Sequence, residues 1–137
     1  MAKPRYWITN RYIDYDGVTL HQIEREDPDT GKIEIGGWVQ DETNLDENSA
    51  AWIANDAKVY DGAFVTGKAL ISGQATVYGH GTIVDGDARV HDNAKVFNGA
   101  HITERASVCD DAIVSGATVR GDDCVDGDKK RVSIKFN

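Results

Sequence analysis

The chain has 137 residues, 15 lysines and arginines, 23 aspartates and glutamates, and a formal net charge of −8. This length and the hydrophobic content of 40% indicate one globular domain and exclude a largely disordered chain. No run of about 18 apolar residues is present, and residues 1–7 lack the apolar stretch of a secretory signal. We therefore expect a cytoplasmic protein with no membrane partner, and its acidity disfavours direct nucleic-acid binding.

Residues 1–47 are predicted to form β-hairpins followed by an acidic connector. The predicted strands alternate apolar and polar residues, and Asp16-Gly17 and residues 27–31 supply turns between them. A Gly-Gly-Trp-Val segment then leads into the connector. The predicted strands are Tyr6–Thr9, Tyr12–Ile13, Val18–Glu24 and Lys32–Ile35; the Gly-Gly-Trp-Val segment is residues 36–39, and the connector is Asp41–Glu47.

A six-residue repeat begins at residue 51. Valine or isoleucine recurs at positions 53, 59, 65, 71, 77, 83, 90, 96, 102, 108, 114, 119 and 125. A small residue precedes each of the first twelve by two positions: Gly81 before Ile83, and alanine in the other eleven cases. The residue two positions after each of these twelve is glycine, asparagine or aspartate in eleven cases, and these types tolerate a left-handed backbone. The pattern predicts a short strand with one buried face and then a bend.

A strand and a bend every six residues predict a parallel β-solenoid over residues 48–127, with alanine and valine inside. A sandwich is excluded because its strands recur every 8–12 residues. Two steps are irregular: seven residues from Ile83 to Val90, and five from Val114 to Val119. We interpret the extra residue as a corner bulge at residues 85–87, with a ligand loop as the alternative.

Units such as Val59–Phe64, Val65–Leu70 and Val96–His101 resemble the hexapeptide repeats of left-handed β-helix proteins, the superfamily that includes trimeric acyltransferases. The resemblance implies an all-β, left-handed triangular prism of about four coils and a homotrimer. A long excursion loop, frequent in the acyltransferases, is absent from the repeats. The Gly-Gly-Trp segment before the repeats also resembles small members of the superfamily found in phages and prophages.

Both ends of the prism are expected to be covered, because an open solenoid end exposes unpaired strand edges. Residues 1–47 are the predicted N-terminal cap. At the other end, residues 128–137 contain Lys129–Arg131 and a predicted strand, Val132–Phe136. This strand would cap the last coil or pair with a neighbouring subunit.

Three aromatic residues are predicted to stack on one outer face of the prism: Tyr60, Tyr78 and Phe97. Lys58 and Lys95 flank them two residues earlier on their strands. Such a row is typical of an interface. It would form a homotrimer contact, a seat for the N-terminal segment, or a binding surface for a partner protein or a planar or anionic ligand.

The histidines predict no metal site, because the repeat separates them onto different faces and corners. They are His21, His80, His91 and His101. Superfamily enzymes use a histidine as general base, and His101 is the candidate for that role here. No cofactor is expected. Cys109 and Cys124 fall on adjacent coils two residues out of register, which predicts no disulfide.

The leading functional hypothesis is a non-catalytic homotrimeric binding protein. It would be a phage or prophage accessory protein that binds a host protein or captures a small ligand, with a possible anti-defence role. The main alternative is a hexapeptide-class acyltransferase with His101 as base. Two further alternatives are a structural virion component and an acidic mimic of nucleic acid.

Overall fold

The computed structural model describes residues 5–127 and 131–133. Its N-terminal part is an antiparallel sheet of three strands: β1 (Trp7–Tyr15), β2 (Val18–Glu26) and β3 (Ile33–Val39). The two strands predicted before residue 14 are one strand, β1, whose register shifts between Ile8 and Tyr12. The Gly-Gly-Trp-Val segment is the second half of β3 rather than a lead-in.

The repeats form the predicted parallel β-solenoid, and the all-β class is confirmed. It has about five turns, and strands outside the counted repeats add to one face. Face A contains β3, β5 (Lys58–Tyr60), β8 (Thr76–Tyr78), β11 (Lys95–Phe97), β14 (Ile113–Ser115) and β17 (Arg131–Ser133). Face B contains β6 (Phe64–Val65), β9 (Ile83–Val84), β12 (His101–Ile102) and β15 (Thr118–Val119). Face C contains β4 (Trp52–Ile53), β7 (Leu70–Ile71), β10 (Arg89–Val90), β13 (Ser107–Val108) and β16 (Cys124–Val125).

The interior is built from the alanines and β-branched residues of the repeat, as predicted. Ala94 and Val96, for example, have no exposed surface. At the corners, asparagine, aspartate and glycine take positive φ angles, such as 60° at Asp92 and 56° at Asp110. The side-chain pattern therefore sets both the strand and the bend of each unit.

One repeat differs from the prediction by one residue. Val84, and not Ile83, points into the prism, and the small interior position is Thr82 rather than Gly81. The extra residue therefore lies in the corner at residues 79–81, and the interpretation of residues 85–87 as the bulge is wrong. The interior hydroxyl of Thr82 accepts a hydrogen bond from the Gly99 N–H at 2.9 Å, which makes its burial tolerable.

The N-terminal sheet joins the solenoid through β3, which pairs in parallel with β5. The first antiparallel strands and face A therefore form one eight-stranded sheet. A 3₁₀ turn at Glu42–Asn44 follows, in which buried Asn44 accepts hydrogen bonds from two backbone N–H groups and donates one to the Ala63 carbonyl. Leu45 adds its side chain to the core. These contacts hold the N-terminal residues against the first turn.

At the C-terminal end, β17 pairs in parallel with β14 of the same chain. Residues 128–130, with two of the three predicted basic residues, and residues 134–137, with the rest of the predicted strand, lie outside the described residues. Within the described part of the chain, no helix is long and apolar enough to span a membrane.

Candidate functional site

The predicted aromatic row exists, and its rings are stacked in parallel. We call Tyr60, Tyr78 and Phe97 the aromatic ladder. The ring centroids of Tyr60 and Tyr78 are 5.2 Å apart with an interplanar angle of 8°, and those of Tyr78 and Phe97 are 5.0 Å apart at 6°. The stack follows from the fold, because β5, β8 and β11 place equivalent residues one strand spacing apart.

One end of the ladder is covered by the hairpin between β1 and β2. Tyr15 at the tip of this hairpin packs edge-on against Tyr60, with centroids 5.9 Å apart. Lys58 places its Nζ 4.9 Å from the centre of the Tyr15 ring. Tyr60 is only 6% exposed, and burial raises the pKa of its hydroxyl. Tyr60 and Lys58, predicted as binding residues, thus contact the N-terminal hairpin.

Among the described residues, no aromatic ring continues the ladder at its other end. The residue that follows Phe97 in the row is Ser115, whose side chain is small. Tyr78 and Phe97 are partly exposed. Lys95 is exposed on the same strand as Phe97 and makes no side-chain hydrogen bond or ion pair within the described chain. The structure therefore combines an accessible ring face with an unpaired cation.

His101 on face B forms a pair with Asp85. Its Nε2 lies 3.0 Å from Asp85 Oδ2, with side-chain exposures of 39% and 30%. The other carboxylate oxygen, Oδ1, is shielded and has no hydrogen-bond partner among the described residues. Such a carboxylate can orient the imidazole and leave Nδ1 as a base. Sequence analysis missed Asp85 because the shifted repeat turns this residue outward beside β12.

The remaining histidines do not join this pair. His80 lies at the corner beside Gly62, and His91 lies on face C, where its Nδ1 is 3.4 Å from Asp92 Oδ1. His21 lies on β2, and its ring stands 6.2 Å from that of Tyr12. None of these contacts joins two histidines of the described residues.

A cleft of about 520 Å³ lies between the N-terminal sheet and the first turn, a feature that sequence analysis missed. The Arg25 guanidinium covers the ring of Trp52 at 4.3 Å and forms an ion pair with Glu34. Glu34 also accepts a hydrogen bond from Trp52 Nε1 at 2.8 Å. These contacts fasten the sheet to face C, so Arg25 in the cleft wall serves the fold.

Comparison with models of known protein families produced no match, and a search of curated proteins found no relative. The aromatic ladder and the His101–Asp85 pair are the two features of the surface that bear on function.

Proposed function

We propose that this protein is a non-catalytic binding protein that holds a planar, anionic group at the open end of the aromatic ladder. The observation that carries the proposal is the parallel stack of Tyr78 and Phe97, which ends at small Ser115. A planar ring above Ser115 would continue the stack on Phe97 at the same spacing. Lys95, two residues before Phe97, supplies an unpaired positive charge for an anionic substituent.

The proposed assembly is a homotrimer of left-handed hexapeptide-repeat prisms, as the repeat units imply by resemblance. The Gly-Gly-Trp segment favours a phage or prophage accessory protein that acts in the bacterial cytoplasm. In that setting the bound group would belong to a small host molecule, and its capture would interfere with a host defence or signalling response. A host protein as the partner is an alternative outcome of the experiment below.

The test is a native mass spectrum of the full chain purified gently from bacterial cells, compared with the variant Lys95→Gln/Phe97→Ser. We expect the wild type to show the mass of three chains plus a small adduct. The variant should keep the trimer and lose the adduct, because it removes the cation and the terminal ring. Lys68→Gln, which changes an exposed lysine away from face A, should keep both.

Other outcomes contradict the proposal. An adduct that survives in the ladder variant would show that the ligand binds elsewhere on the protein. Dissociation of the variant into monomers would assign the ladder to a subunit contact instead. A monomeric wild-type protein would reject the trimer. If the trimer carries no small adduct but co-purifies with a protein that is lost in the ladder variant, the ligand is a protein partner and not a small molecule.

The second candidate function is acyl transfer, which the His101–Asp85 pair favours. His101 would take the proton of an acceptor hydroxyl or amine while the acceptor oxygen or nitrogen bonds to the thioester carbonyl, and the thiol would leave. With a panel of acyl-CoA donors and acceptors, His101→Ala should abolish turnover. Asp85→Asn should reduce turnover, and His91→Ala should leave it unchanged.

Such a result would overturn the non-catalytic proposal. Wild-type protein without turnover on the panel, or turnover that survives in His101→Ala, would instead reject His101 as the base.

A further inference from the structure

One thiol and two carboxylates meet at the corner between faces C and A. A carboxylate oxygen of Asp92, the sulfur of Cys109 and a carboxylate oxygen of Asp110 all lie within 4.8 Å of one another. Asp92 and Asp110 are equivalent corner residues of adjacent turns, and Cys109 directly precedes Asp110. The coil, and not the local sequence, brings these groups together.

The backbone holds one oxygen of each carboxylate in place. Asp92 Oδ2 accepts a hydrogen bond from the Asp110 N–H at 3.0 Å, and Asp110 Oδ2 accepts one from the Gly127 N–H at 2.9 Å. Carboxylates held in this way are suited to bind a cation.

Cys124 provides a second sulfur from the next turn. Ser107 pairs with Cys124, so Cys109 and Cys124 project from the same outer face two residues apart. Both are free thiols, Cys124 is exposed, and their sulfurs are close enough to interact.

His91 adds an imidazole at the same place. The pairing of Arg89 with Ser107 and of Val90 with Val108 puts His91 beside Cys109 in the next register position. Its Nδ1 also lies 3.4 Å from Asp92 Oδ1. The corner thus offers sulfur, nitrogen and oxygen donors on three consecutive turns.

We propose that this corner binds one zinc-type divalent ion through Cys109, Cys124 and one oxygen each of Asp92 and Asp110. Thiolate and carboxylate ligands together suit a four-coordinate zinc site, whereas calcium and magnesium prefer oxygen donors alone. Donor atoms on one zinc ion lie about 3–4 Å apart, so the four side chains would draw together around the ion. Binding would release the two thiol protons and cross-link successive turns near the C-terminal end.

The test uses the full chain without a histidine tag, stripped of metal and reduced, and titrated with Zn²⁺ alone by calorimetry and with Co²⁺ by absorbance. We expect one ion per chain, a sulfur-to-cobalt charge-transfer band, and a higher melting temperature with Zn²⁺. Cys124→Ser, at an exposed position that tolerates the change, should weaken binding about tenfold or more and reduce the band. Cys109→Ser should do the same, while Asp87→Asn, an exposed carboxylate on another corner, should have no effect.

Absence of Zn²⁺ binding would overturn the proposal. Binding without the cobalt–sulfur band, or binding unchanged in both cysteine variants, would overturn it as well, because the ion would then sit on surface carboxylates. These results are independent of the aromatic ladder and leave the proposed function untouched.

Discussion

Replacement of Ala94 by leucine is expected to lower the free energy of unfolding by about 1–3 kcal/mol. Ala94 has no exposed surface and points into the prism. Its strand cannot move outward, because the Ala94 carbonyl accepts a hydrogen bond from the Thr76 N–H at 2.9 Å and the Lys95 N–H donates one to the Ala112 carbonyl at 2.9 Å. The larger side chain must therefore overpack the interior. Urea-induced unfolding followed by circular dichroism measures the effect.

Lys95→Leu is the matched control, because it introduces the same side chain one residue away on the exposed outer surface. Its unfolding free energy should stay within about 0.5 kcal/mol of the wild type. An Ala94→Leu protein as stable as the wild type would show that Ala94 does not face the interior.

Replacement of Gly37 by alanine is expected to separate the N-terminal sheet from the first turn and to lower the unfolding free energy by about 1–3 kcal/mol or more. The added methyl group would overlap the Ala57 carbonyl oxygen and lie 2.7 Å from Ile53 Cγ2. The carbonyl cannot give way freely, because it accepts a hydrogen bond from the Trp38 N–H at 2.9 Å. Hydrogen exchange should show faster exchange at the backbone amides that join β3 and β5.

Gly31→Ala is the control variant, because it replaces a glycine by alanine without creating a clash. Gly31 has a φ angle of 73° but nothing within 4 Å of an added methyl group, so the expected loss is about 1 kcal/mol from backbone strain. The amides between β3 and β5 should keep their protection in this variant. Equal exchange in the two variants would show that close packing at Gly37 does not hold the sheet.

The repeat alone predicts the solenoid because each unit specifies its own geometry. Alternation of a small and a β-branched residue defines the buried face, and a residue that tolerates positive φ defines the corner. Once the period is known, residues a whole turn apart must lie above one another. For this reason the ladder of Tyr60, Tyr78 and Phe97 was predictable before its distances were known.

The repeat cannot decide between two adjacent β-branched residues. Ile83 and Val84 both suit the interior, and spacing favoured Ile83, whereas the tertiary structure places Val84 inside because it pairs in register with Val65 and Ile102. This one-residue shift turns Asp85 toward His101 and creates their contact. An error of one position in an alternating pattern reverses which side chains face out.

The amino-acid sequence by itself therefore determined the parallel solenoid, its interior and the order of the ladder, because those features repeat locally and follow from side-chain shape. Only the tertiary structure decided that Tyr15 covers one end of the ladder, that Asp85 meets His101, and that thiols and carboxylates of successive turns share a corner. These contacts join residues on different turns or different elements, and their geometry depends on how the whole chain packs.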